Sequence, residues 1–93
     1  MIEAEIYEKL RAFVVNTFLL EYGKDTVDPD EDLLDSGYID SMAVMETVGF
    51  VQETLGVQVD DDDIVDENFR TLRALTELVL TKQAGGTSAT ATA

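Results

Sequence analysis

Ninety-three residues with 20 acids, 6 bases and a formal net charge of −14 describe one small acidic domain, too short for a deep catalytic cleft. Nucleic acid and anionic membranes would repel such a surface, whereas partners with Arg/Lys patches would be drawn to it. The chain has no Cys and no His, which removes disulfides, Cys-ligated metals, a thiolate nucleophile and the usual general base.

An apolar fraction of 45% is enough for a packed core. Residues 2 to about 20 read as the first helix. Ile2, Ile6, Leu10, Phe13, Val14 and Thr17 recur at steps of three or four, with Glu3, Glu5, Glu8, Lys9 and Arg11 on other faces. Gly23 is its expected stop. The segment has no basic leader and no long apolar run, so neither a signal peptide nor a membrane span is expected, and the default location is the cytoplasm. A long connection follows over 21–40. Within it Asp28-Pro29-Asp30-Glu31-Asp32 carries the signature of a one-turn helix, and Leu33 and Leu34 plug the loop onto the core.

The second helix is predicted from about Ser41 to Leu55, ending at Gly56, with Thr47, Val48, Val51 and Leu55 inside. Met42, Met45, Glu46, Gly49 and Glu53 fall on the other side. The two methionines suit either the core or an adaptable partner contact. Val57-Gln58-Val59 alternates but has no strand to pair with, so it reads as extended loop. The acids Asp60 to Asp63 would load the start of a short turn near Ile64 and Val65. Asp66-Glu67-Asn68-Phe69 looks like another short turn anchored by Phe69. Thr71 caps a last helix over 71–83, with Leu72, Leu75, Leu78 and Val79 as its buried stripe. Residues 84–93 lack an apolar anchor of any size and are expected to form a disordered tail. The fold class is all-α: a small four-helix bundle with a long first loop and a short third helix, occupying residues 1–83.

The acid clusters invite a calcium reading, but the spacing fails. Counted from Asp28, Leu33 stands where an EF-hand needs Gly and Ile39 where it needs Glu; counted from Asp60, Ile64 takes a ligand slot. No specific metal site is expected, and carboxylates are too abundant to single out an acid/base pair. Two Asp-Ser pairs remain. Asp35-Ser36 is followed by Gly37-Tyr38-Ile39 and reads as turn chemistry. Asp40-Ser41 stands at a helix start, where a hydroxyl faces open N–H groups and the positive end of the dipole, a ready place for a phosphate.

The run Asp40-Ser41-Met42 followed by Glu46 resembles the Asp-Ser-Leu…Glu motif of acyl and peptidyl carrier proteins. The likeness runs without a gap from Asp40 to about Val59. It continues more loosely through Phe69 and the last helix, and Asp32-Leu33-Leu34 with the first helix extends it to about residue 83. The resemblance implies that Ser41 is esterified with 4′-phosphopantetheine taken from coenzyme A, with Asp40 facing the phosphopantetheinyl transferase and its metal. It implies a non-catalytic carrier, a monomer, whose thiol is borrowed because the chain has none, and whose partners include an adenylating or acyltransferase loading enzyme.

Carriers of fatty-acid synthesis crowd acids along the second helix. Here the corresponding positions are Ala43, Glu46, Gln52, Glu53 and Gly56, and only Glu46 and Glu53 are acidic. Much of the charge sits in residues 60–63 instead. The likeness is therefore closer to a discrete carrier of secondary metabolism, holding aminoacyl, peptidyl or polyketide extender units. Met42, Met45, Glu46, Gly49 and Glu53 would form the docking face, flanked by Ile64, Val65 and Phe69. An unmodified acidic helical adaptor binding a basic partner is the alternative; a carboxylate or metal-using enzyme is a weaker third.

Overall fold

A computed structural model describes residues 1–84, and of the expected tail only Ala84 falls among them. Four α-helices surround one core: α1 (Glu3–Val14), α2 (Ser41–Thr54), the short α3 (Asp66–Phe69) and α4 (Leu72–Gln83). Helix α1 packs chiefly on α4, and α3 on the start of α4. Ile6, Leu10 and Val14 of α1 are fully buried, as their four-residue spacing predicts.

The first helix does not continue as a plain α-helix to residue 20. A π-helical turn (Val15–Leu19) and a 3-10 turn (Leu20–Tyr22) follow α1. The wider π turn shifts the register by a residue, so Val15 and Leu19 are buried while Thr17, expected on the inner stripe, is exposed. Phe13 stacks on Phe50 of α2, with ring centroids 4.2 Å apart, and meets Phe18 edge-on at 5.6 Å. The segment closes at Gly23, whose φ of 75° is open to glycine at little cost. Its N–H bonds to the Leu20 carbonyl and that of Lys24 to the Leu19 carbonyl, the paired bonds of a Schellman ending.

The connection from Gly23 to Asp40 is sewn to the far end of the chain. Leu33 N–H donates to the Arg70 carbonyl at 2.8 Å, and Arg73 N–H donates to the Pro29 carbonyl at 2.9 Å. In a helix starting at Asp28, Leu33 N–H would have bonded to that Pro29 carbonyl. Both groups are taken by α3 and α4, so the one-turn helix does not form and a single turn, Glu31 N–H to the Asp28 carbonyl, stands in its place. The Pro29 carbonyl thereby satisfies one of the N–H groups left open at the start of α4, and the Thr71 hydroxyl accepts from Ala74 N–H at 3.0 Å as the cap. Val27, Leu33 and Ile39 turn inward and seal the loop onto the core.

Arg70 reaches Asp32 at 3.1 Å and Asp35 at 3.4 Å, and Arg73 pairs with Asp30 at 2.7 Å. The Asp35 N–H, then the Arg70 guanidinium, hold the Asp32 carboxyl below the usual carboxylate range. A carboxyl depressed in the folded state stabilises the fold above its unfolded pKa, and that contribution is lost as pH falls through the folded value. The stability gap between wild type and Asp32→Asn, followed by urea denaturation, is therefore expected to hold steady near neutrality and shrink below about pH 4. A gap that persists through strong acid contradicts this assignment.

After α2, Gly56 takes φ of 69° and the chain runs extended, burying Val57 and Val59 and exposing Gln58. The Gln52 side chain accepts from Val59 N–H at 3.1 Å, standing in for a strand partner. The acids form a short turn themselves, a 3-10 helix at Asp61–Asp63, one step before the expected position at Ile64 and Val65. Lys82 explains the shift: its ammonium lies 2.7 Å from Asp63 and 2.9 Å from Asp60, drawing the acids onto α4.

Candidate functional site

Ile39 is 5% exposed and pins the chain at the base of α2; the next two residues emerge at the surface. Gly37, at φ 84°, makes the reversal that brings them there. Asp40 is the N-cap, in extended conformation, and its Oδ1 accepts from Ala43 N–H at 2.9 Å. Ser41 is the first helical residue and is exposed. With Ala43 capped, the N–H groups of Ser41 and Met42 are the ones a helix of this geometry leaves without intrahelical partners. The two residues expected at the helix start thus divide the work: Asp40 caps, and Ser41 is exposed.

Below Ser41 the helix is fixed. Ala43, Thr47, Val48 and Val51 are buried, and the Thr47 hydroxyl donates to the Ala43 carbonyl at 2.9 Å, so this polar group is satisfied within the core. Ser36 sits differently. Its hydroxyl donates to the Leu33 carbonyl at 3.2 Å and serves the turn.

Met42 is 71% exposed and Met45 53%, so neither belongs to the core. Glu46 and Glu53 are exposed and Gly49 half-buried on the same helix. Of the expected flank, Val65 is 46% exposed and Ile64 half-buried. Phe69 is the correction. At 4% exposure it belongs to the hydrophobic core, because the one-turn α3 has no other large side chain with which to hold itself down. It supports the flank from beneath and presents no surface. Among the described residues no cluster of three or more acids is arranged to hold a metal ion, and no helix is long and apolar enough to cross a membrane.

A family model described as the phosphopantetheine attachment site matches residues 13–79, from the end of α1 into α4. The chain belongs to this family, whose members covalently bind 4′-phosphopantetheine and act as carriers. Such carriers are generally not themselves catalytic; they work with a phosphopantetheinyl transferase and with partner enzymes. No curated protein matches the chain significantly. The start of α2 fits the group on chemical grounds: an outward hydroxyl to esterify, two open N–H groups and the positive helix end beside it for the phosphate.

Proposed function

We propose that Ser41 is the residue that bears the 4′-phosphopantetheine arm, and that the protein is a discrete carrier holding acyl or aminoacyl groups for secondary-metabolite biosynthesis. The observation that carries this reading is the placement of the hydroxyls. Of the three serines, Ser88 lies outside the matched region, Ser36 is engaged in its turn, and Ser41 stands exposed at the first position of a 14-residue helix.

In attachment, the Ser41 oxygen forms a bond to phosphorus and the nucleotide part of coenzyme A leaves. The hydroxyl proton passes to a base of the transferase, since this chain has no His to take it. Asp40 holds the first turn of α2 in shape and offers an exposed carboxylate beside the reacting oxygen, where the transferase and its Mg²⁺ would approach. The arm supplies the thiol that the cysteine-free chain lacks, and thioester cargo is held there. Met42, Met45, Glu46, Gly49 and Glu53, with Val65 and the edge of Ile64, form the face that partners would grip. Exposed methionines adapt to several partners, and the acids steer basic ones. The scarcity of acids along α2, with its charge displaced to residues 60–63, supports the secondary-metabolic reading over fatty-acid synthesis.

Incubation with coenzyme A, Mg²⁺ and a broad-specificity phosphopantetheinyl transferase is expected to raise the intact mass by one phosphopantetheine. An unchanged mass with a transferase that modifies a control carrier would favour the unmodified acidic adaptor.

A further inference from the structure

Behind Ser41 a cleft of about 260 Å³ opens between the end of the first helical segment and the first turns of α2. Phe18, Glu21 and Tyr22 from the π and 3-10 turns form one wall; Tyr38, Asp40 and Glu46 form the other. Asp40 and Met42, the two neighbours of Ser41, both line it, so a group tethered to Ser41 starts at its rim. Its size lies below the usual range of about 300–1,000 Å³ for small-molecule pockets, suited to a group of amino-acid dimensions and not to a long acyl chain.

The walls share one chemical preference. Tyr22 and Tyr38 meet edge to face at 5.2 Å, and aromatic faces attract cations. Lys24 already places its ammonium 5.7 Å from the centroid of Tyr38. Three carboxylates line the cleft and no Lys or Arg does. None of Glu21, Asp40 and Glu46 has a cationic partner among the described residues, so no internal Lys or Arg competes for a cation in the cleft. The π turn is what carries Phe18 to this wall, and such turns recur at functional sites.

The geometry points to a resting place for amine-bearing cargo: the cleft receives the ammonium of a small aminoacyl group held on the arm, between the carboxylates of Glu21, Asp40 and Glu46 and the rings of Tyr22 and Tyr38. This rests on Ser41 bearing the arm, and it selects the aminoacyl class from the cargoes left open above. The contact is weak and reversible, because the cleft is small and open to solvent, and salt screens it.

The test uses the intact protein loaded by the transferase from two coenzyme A conjugates, one ending in an amide-linked amino acid and the other in the same acyl group lacking the amine. Mass spectrometry first confirms that each arm is attached. Amide and aromatic NMR resonances of Phe18, Tyr22, Gly37 and Tyr38 are expected to shift with the amine-bearing cargo. The shifts should be several-fold smaller with the amine-free analogue, at high salt, and in a Glu21→Gln/Glu46→Gln variant. Attached arms with no shifts in the cleft, or equal shifts for both cargoes, overturn the inference while leaving the carrier reading intact. Failure of attachment removes both.

Discussion

Ser41→Ala is expected to abolish the mass gain given by the transferase and to leave the fold unchanged. Both halves follow from position. Ser41 is the first residue of α2, exposed, while the capping bond belongs to Asp40 and the buried face begins at Ala43. Alanine is the best helix former, so the change is expected to move stability by no more than about 0.5 kcal/mol. The expected effect on modification is total, because the change removes the oxygen proposed to bond to phosphorus. Ser36→Ala is the matched control: it loses the bond to the Leu33 carbonyl and is expected to keep full modification. Intact-mass spectrometry with far-UV circular dichroism reads both outcomes. Modification surviving in the Ser41 variant would relocate the site.

The largest expected effect on stability is at Leu33. Its side chain is 1% exposed, its N–H bonds to Arg70, and its carbonyl accepts from Ile39 N–H and from the Ser36 hydroxyl. One residue thus fixes the loop to α3 and the base of α2 at once. Truncating a buried leucine costs about 2–5 kcal/mol, against a total of about 5–15 kcal/mol for a domain of this kind. Leu33→Ala should lower the urea midpoint sharply with little change in slope, whereas Leu33→Met, which nearly conserves volume, should cost less than about 1.5 kcal/mol. Because the same residue sets where α2 begins, the alanine variant is also expected to be modified more slowly than wild type. A midpoint that barely moves would mean that the loop is held by the Arg70 and Arg73 ion pairs and not by its apolar plug.

Where local chemistry decides the structure, the sequence could be read directly. Asp40 and Gly56 bracket α2, Thr71 opens α4, and the stripes at Ile6, Leu10 and Val14 and at Leu72, Leu75 and Val79 face the core as their spacing requires. Local chemistry misled where distant groups compete for the backbone. Pro29 looks like a helix start, but its carbonyl goes to Arg73, 44 positions on. Nothing in residues 15–19 announces a π turn; it accompanies the packing of Phe18 and Phe50 against Phe13. The sequence offers Phe69 both as the anchor of a short acidic turn and as a flank of the docking face, and the burial that makes it an anchor removes it from the surface. The cleft beside Ser41 joins residues 17–22 to 37–46, two segments that only the folded connection brings together.

The most direct measurement is proteolytic mapping by tandem mass spectrometry of the protein after transferase treatment, or as recovered from its host. The account predicts a single phosphopantetheine on the peptide spanning Asp40 to Glu46, with the fragment ions placing it on Ser41. A group found on Ser36 or on a threonine, or a bare Ser41 after treatment that modifies a control carrier, would contradict it.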